Sequence, residues 1–461
     1  MQRVVFPRQV RHLFPDPGGM KGLVGLRRNG TSTILMMTDI TSTVLSAPFG
    51  FDAYWGTGEG AKDDERVSLF SVDIPEEKIK QLKNSITKDL LLTPLEDVAH
   101  SVDRHSFIRN LTHVLKTFDW VQHQNFLNTF KQYRTEIEGL SIHFLRVSIP
   151  KEAGKDTTPI VLLHGFPGCY WDFYKVIPIL ANPARFGFEF GVERTIVFDV
   201  IVPSLPGFVF STKPSKAGLK VTDMARIIAK LMNRLSVPQY FVHGSELLGS
   251  EIAAVIGALY PYNVRGVHVS NPVVHPHFSP QVFTRHLFEW ISEQNAEDAP
   301  STTDEFLKEE RLFVPSGDIV GDALVSSVVG TSSYLMSVWS FFSSRDPSIL
   351  PNRLFTLDEL ATISYLYFLT ETTPHTLRIM RDFFDSYLPK QRLQVRVPSA
   401  ILQSPNVPWH SSKSVCRHRF LNLTSYTKAS KGGVFQHLQD PNTFAADVFR
   451  FVEFVLAVNQ F

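Results

Sequence analysis

Pro159-Ile160-Val161-Leu162-Leu163, followed at once by His164-Gly165-Phe166-Pro167-Gly168, is the stretch that decides the fold. A short run that is apolar at every position suits a strand buried on both faces, which is the habit of a parallel sheet. The turn behind it is shaped by two glycines and a proline, and it leaves backbone N–H groups unpaired at the carboxyl edge of the sheet. That edge is where open α/β sheets bind ligands.

Working outward, the same rhythm continues on the C-terminal side. Thr195–Val202 reads as a strand and Val221–Leu235 as a helix, with Met224, Ile227, Ile228, Leu231 and Met232 at helical spacing. Tyr240–His243 is a strand, Glu251–Tyr260 a helix and Val264–Ser270 a strand. Alternation of this kind implies right-handed crossovers and a parallel sheet. Residues 276–385 break the rhythm and read as a helical insertion. Arg396–Gln403 and Asn422–Lys428 return to strand character. Thr443–Val458 closes the chain as an amphipathic helix, with Asp440 or Asn442 available to cap it. On the N-terminal side Ile142–Ser148 alternates like a strand, while residues 76–100 and Leu111–Phe130 are helical in pattern. Lys151–Thr158 is polar and reads as a flexible connection. The domain reading is a leader or degraded anchor over 1–53, an N-terminal domain over 54–150, a core over 151–275, a helical lid over 276–385 and the remaining core over 386–461.

Composition narrows the function classes. The 461 residues hold 46 Lys and Arg against 45 Asp and Glu, and this near-neutral balance argues against a nucleic-acid partner. Cys169 and Cys416 are the only cysteines, and the two cannot form a disulfide framework or supply the four ligands of a zinc site. No metal or other cofactor is expected. Thr33–Phe51 is the nearest approach to a membrane span, but Asp39 in its middle opposes insertion by roughly 2.5–3.5 kcal/mol. The basic first 30 residues read as a poorly ordered leader, with a transit peptide as the alternative.

Three turns on the carboxyl edge could carry chemistry. His164, Gly165, Phe166 and Pro167 form the first and would supply oxyanion donors. Pro203-Ser204-Leu205-Pro206-Gly207-Phe208 is a rigid second loop. The third, His243-Gly244-Ser245-Glu246-Leu247-Leu248-Gly249, lies between a strand and a helix, where a nucleophile is presented on a tight turn. Such a turn needs small residues two before and two after the nucleophile. No Gly-x-Ser-x-Gly occurs in the chain, which disfavours a serine hydrolase. Ser245, with His243 or His437 as its base, has His243 and Leu247 at the flanking positions, which is wrong for that turn.

At this point the sequence resembles the microsomal and juvenile-hormone type of epoxide hydrolase. The resemblance runs from Tyr54-Trp55-Gly56 to the C-terminus. It includes Phe118-Asp119-Trp120, Ile137-Glu138-Gly139-Leu140-Ser141-Ile142-His143-Phe144, the His164–Gly168 turn, Phe173-Tyr174-Lys175 and the Pro203–Phe208 loop. It implies an α/β-hydrolase fold with an N-terminal helical domain and a helical lid. It also implies cofactor-free opening of a small lipophilic epoxide to a diol. In that chemistry an aspartate attacks the epoxide carbon, two lid tyrosines donate to its oxygen, and a His–acid pair activates water to cleave the ester. The family is anchored in the endoplasmic reticulum, so the resemblance implies membrane association, with a cytoplasmic protein as the alternative. Oligomeric state is not legible.

Carried over by position, the machinery is altered. The family turn reads Gly-Gly-Asp-Trp-Gly. Counting from the preceding strand gives Glu246 the aspartate's place; counting back from Gly249-Ser250 gives it to Leu247. The first register keeps a carboxylate but sets Leu248 where a small residue is expected. The family base lies in Gly-Gly-His-Phe, here Gly432-Gly433-Val434-Phe435, so Val434 replaces it. His437, three residues on, reaches the same side only if the chain is already helical there. The family acid falls on Val407, with His410 and Asp440 as the nearest polar groups. Tyr367 matches one lid tyrosine, and the other falls near Glu309. The resulting expectation is an epoxide hydrolase of weak or no activity. Glu246, His437 and Tyr367 would be its catalytic set if it is active, and a lipophile-binding protein is the alternative.

Overall fold

The computed structural model describes residues 53–86, 99–148, 155–187, 195–274, 314, 317, 319–346, 348–387, 391 and 393–458. Nine strands form one sheet in the order β1-β2-β3-β5-β4-β6-β7-β8-β9. They are β1 Ser68–Phe70, β2 Gln132–Ile137, β3 Leu140–Val147, β4 Lys155–Leu163, β5 Thr195–Pro203, β6 Tyr240–Gly244, β7 Val264–Ser270, β8 Ser399–Gln403 and β9 Leu423–Lys428. From β5 to β9 the pairing is parallel, and β1, β2 and β3 add an antiparallel edge. This is the α/β-hydrolase architecture.

Helices lie between the N-terminal strands, connect the core strands, fill the described part of the insertion and close the chain. In sequence they are α1 Glu76–Ile86, α2 Ala99–Thr117, α3 Trp120–Leu127, α4 Val176–Ala181, α5 Val221–Arg234, α6 Glu246–Leu259, α7 Ile319–Val325, α8 Val328–Ser343, α9 Leu357–Leu369, α10 Thr373–Asp382, α11 Lys413–Arg419, α12 Gln436–Gln439 and α13 Pro441–Val458. The apolar stripe anticipated for α5 is buried, Met224, Ile227, Ile228, Leu231 and Met232 included. Asp440 caps α13, accepting from the Thr443 N–H and hydroxyl.

Three boundaries depart from the sequence reading, each for a tertiary reason. The segment 54–150 is not purely helical, because β1, β2 and β3 extend the central sheet, with β3 against β5. β4 starts at Lys155 within the stretch expected to be flexible, because ladder pairing with β5 from Lys155↔Thr195 onward overrides its polar composition. α6 begins at Glu246, five residues before the expected start, since the turn after β6 feeds it directly. Thr33–Phe51 and most of 276–318 lie outside the described residues.

Two registers position the site. β4 and β6 pair Leu162↔His243 and Leu163↔Gly244, so the turn after β4 and the turn after β6 leave the sheet side by side. The lid is fastened over both. Trp339 of α8 donates to the Pro167 carbonyl at 3.3 Å and stacks on Phe435 at 4.2 Å. The Phe342 carbonyl of α8 accepts the Val434 N–H at 2.9 Å. A buried anchor joins the N-terminal segment to the core, where Glu138 accepts from Trp55 and is paired bidentately with Arg226.

Candidate active site

Ser245 alone separates β6 from α6, whose first residue is Glu246. Glu246 has φ +51°, a left-handed conformation that costs a non-glycine residue about 1–2 kcal/mol. This is the geometry of a nucleophile turn, and Glu246, not Leu247, is its apex. The crowding that fixes the register falls at Gly244, whose added Cβ would collide with the Gly249 backbone. It falls again at Gly249, whose Cβ would stand 2.5 Å from the Leu163 carbonyl oxygen and 2.6 Å from that of His164. The expected small residue two places after the apex is therefore not required. The tight approach comes three places after it, and Leu248 packs fully buried instead.

The Gly165 N–H donates to Glu246 Oε2, so the carboxyl sits in the oxyanion turn. Glycine is needed there, since a Cβ on Gly165 would lie 2.9 Å from both Cβ and Oε2 of Glu246. His164 holds the turn in shape. Its Nε2 accepts the Leu205 N–H at 3.0 Å and its Nδ1 bonds the Gly165 carbonyl at 3.0 Å, which fixes the tautomer with the proton on Nδ1. Burial lowers its pKa to about 4, so it stays neutral. Leu205 belongs to the Pro203–Phe208 loop, whose part here is to brace His164. Phe166 lies between two phenols of the lid, 6.4 Å from the Tyr334 ring and 6.5 Å from the Tyr367 ring. The Tyr367 hydroxyl donates to the Gly168 carbonyl at 2.7 Å. Burial, with Cys169, Asp172 and Glu246 nearby, pushes its pKa well up.

Asp172, not singled out in the sequence, stands beside Glu246. Its Oδ2 accepts the Cys169 N–H at 2.9 Å. A Cβ on Gly168 would run into Asp172 Oδ2 and come within 3.1 Å of Glu246 Oε1, so that glycine leaves the space in which the two carboxyls meet. Burial raises the pKa of Asp172 to about 8. Burial, and then the Asp172 charge, holds Glu246 well above the carboxylate range. Two carboxyls this close in a dry pocket cannot both ionise.

His437 completes the cluster. It lies in α12, so the helical condition on it is met, and Nε2 faces Glu246 Oε1 at 3.7 Å. Neither atom has a hydrogen-bond partner among the described residues. The ring stacks on Phe173 at 4.4 Å, and burial lowers its pKa to about 3. Nδ1 lies 3.1 Å from the Ser245 hydroxyl, which is 2.7 Å from His243 Nε2. Ser245 itself stands one residue before the apex, on extended backbone at φ −108°. Donor atoms of Asp172, Glu246 and His437 all lie within 4.8 Å of one another. One imidazole and two carboxyls is a donor set that can hold zinc, so these are the described residues that could bind a cation.

Val434 and Val407 are both fully buried. The Val407 carbonyl accepts from Arg345, and His410 lies 3.4 Å from the Tyr426 hydroxyl. Glu309 is outside the described residues. A cavity of about 460 Å³ has Leu219, Lys220, Met224, Leu248, Ile379 and Asp382 in its lining, and Glu246, Asp172 and His437 do not line it. Among the described residues no single helix is long and apolar enough to cross a membrane.

Comparison with known proteins agrees with this fold. Residues 67–173 match the family model described as epoxide hydrolase N terminus, and residues 158–312 match that of the alpha/beta hydrolase fold. The chain is 30% identical over 424 residues to epoxide hydrolase 1 of Sus scrofa, covering 87% of this chain and 92% of the relative. It is 28% identical over 436 residues to juvenile hormone epoxide hydrolase 2 of Ctenocephalides felis, covering 90% and 91%. Among solved structures, juvenile hormone epoxide hydrolase from the silkworm Bombyx mori superposes with a TM-score of 0.78 at 25% identity, over 88% of this chain and 99% of that one.

Proposed function

The chain belongs to the epoxide hydrolase family, and from that premise we propose that it takes a small apolar epoxide, opens it through Glu246 and releases the diol slowly. What supports this reading is the Glu246 carboxyl on the strained turn, against the Gly165 N–H, with buried Val434 and Val407 at the positions the resemblance assigns to the base and its acid. In the first step a Glu246 oxygen bonds the epoxide carbon, the C–O bond breaks, and the Tyr367 phenol supplies the proton to the released alkoxide. In the second, water adds to the ester carbonyl, its proton passing to His437 Nε2 while the Gly165 N–H supports the oxyanion; the tetrahedral intermediate collapses with cleavage of the ester C–O bond, His437 returns the proton to the departing diol oxygen, and the Glu246 acid so formed restores the proton on Tyr367.

Both steps are held back. Burial holds the Glu246 pKa well above the usual carboxylate range, which cuts the ionised fraction that attacks. His437, lowered to about 3, accepts a proton weakly, whereas an effective base lies near the working pH. The complete burial of Glu246, Asp172 and His437 favours a second reading, a protein that holds an apolar epoxide without turning it over. Association with the endoplasmic reticulum membrane is a proposal that rests on the resemblance.

Offering the purified protein a styrene-type and an aliphatic epoxide separates the two readings. Diol formation in the parent that vanishes in Glu246→Gln supports the slow hydrolase. Saturable binding of the epoxide with no diol in either protein supports the binding reading and rejects the hydrolase.

A further inference from the structure

Behind His437, away from Glu246, runs a buried chain of polar groups that the chemistry above does not use. Ser245 Oγ links His437 Nδ1 at 3.1 Å to His243 Nε2 at 2.7 Å. His243 Nδ1 lies 2.8 Å from His268 Nδ1, and His268 Nε2 lies 3.1 Å from Asp447 Oδ2. The sheet makes the middle link, since His243 and His268 are register partners on β6 and β7. Asp447, on α13, also accepts from the Thr427 hydroxyl at 2.7 Å. All five residues are at most 3% exposed.

The donors along this chain are not independent. Burial alone would raise the Asp447 pKa, but the His268 and Thr427 hydrogen bonds outweigh it and hold the carboxylate below its usual range. Ionised Asp447 can only accept, so His268 carries its proton on Nε2. With His243 Nδ1–H as the donor and His268 Nδ1 as the acceptor at the 2.8 Å contact, His243 Nε2 accepts the Ser245 hydroxyl proton. The Ser245 oxygen then accepts from His437 Nδ1–H. The lone pair of His437 is thereby left on Nε2, the atom that faces Glu246.

We propose that Ser245, His243, His268 and Asp447 form a proton relay that orients His437 as the base toward Glu246, replacing the acid that Val407 cannot supply. This rests on the reading of Glu246 as nucleophile and His437 as its base. When His437 Nε2 takes a proton from water, Nδ1–H passes its proton to Ser245, Ser245 passes its own to His243 Nε2, and His243 passes Nδ1–H to His268 Nδ1. One proton has entered and one positive charge results. It rests on His268 beside ionised Asp447, not on buried His437. Ser245, His243, His268 and Asp447 are positioning residues, because they act through His437 and touch no reacting atom.

Two measurements on the full chain test this. Nitrogen-15 NMR of histidine-labelled protein at pH 7 should find His437 and His243 neutral with the proton on Nδ1, and His268 with it on Nε2. Ser245→Ala should release His437 from that tautomer, and Ser245→Thr should keep it. Decay of the Glu246 ester, followed by intact mass, should slow in Ser245→Ala and Asp447→Asn by between about 10 and 10⁴-fold, the upper figure being the cost of losing the orienting acid of a serine triad. Ester formation should change far less, and Ser245→Thr should restore decay. A neutral His437 with its proton on Nε2 overturns the relay, and so does ester decay indifferent to Ser245→Ala. If the parent forms no ester, the functional reading fails on its own, and the tautomers still decide the relay.

Discussion

Replacing Glu246 by Gln should abolish turnover while making the fold more stable, and the gain should grow with pH. Glutamine keeps what the buried acid does structurally: its oxygen can accept the Gly165 N–H, and its amide can donate to His437 Nε2, which now faces Oε1 at 3.7 Å. It loses only the proton. Because burial raises the Glu246 pKa in the fold, the native state binds that proton more tightly than the unfolded chain does. Stability from this group is complete below the unfolded value of 4.5 and is lost as pH rises toward the folded value. The slope is about 1.4 kcal/mol per pH unit. From pH 4.5 to 7 the difference between variant and parent therefore reaches at most on the order of 3 kcal/mol, with coupling to Asp172 reducing it. Other groups cancel in the difference. Urea unfolding of both proteins at pH 4.5, 5.5 and 7 measures it. A difference that stays flat over this range means that Glu246 is ionised in the fold, and the reasoning about its slow attack is then wrong.

Three further outcomes follow from the same geometry. Tyr367→Phe should slow ester formation by about 10²–10³-fold, as loss of one oxyanion donor does, and cost about 1–3 kcal/mol by leaving the Gly168 carbonyl unpaired; burst kinetics and urea melts read the two effects. Restoring the family pair with Val434→His and Val407→Asp together should speed diol release by about 10²-fold or more, whereas Val434→His alone should gain less, because an unoriented buried imidazole is a poor base. Gly249→Ala should destabilise the fold by about 3 kcal/mol, the upper end for overpacking, because its Cβ would meet backbone carbonyls at 2.5 and 2.6 Å; a thermal melt unchanged from the parent would contradict the register of the turn.

Much of the scaffold was legible because it depends on local pattern. The apolar run before His164 and the alternation after it located the parallel strands, and the stripe on α5 its buried face. The antiparallel edge strand β1 and the early start of β4 were not legible, since pairing with neighbours, not composition, creates them. At the site, Glu246 was reached from the strand before it, but the choice against Leu247 needed the backbone at +51°. The rule about small residues failed by one position because the approach to Leu163 and His164 is made by Gly249. His437 could be judged only once α12 was seen to be helical. Asp172, and the line from Ser245 to Asp447, carry no local signal. Their members lie up to 192 residues apart at a single contact and meet only when β6, β7, α12 and α13 are packed.

The central claim is that Glu246 forms the ester and that its hydrolysis limits the rate. Intact-mass spectrometry of the protein mixed with excess epoxide tests it directly, with peptide mapping to locate the addition. The account predicts a mass increase equal to one epoxide, on the peptide containing Glu246, that builds faster than it decays and is absent from Glu246→Gln. Diol released with no adduct on Glu246, or an adduct that persists in Glu246→Gln, would contradict it.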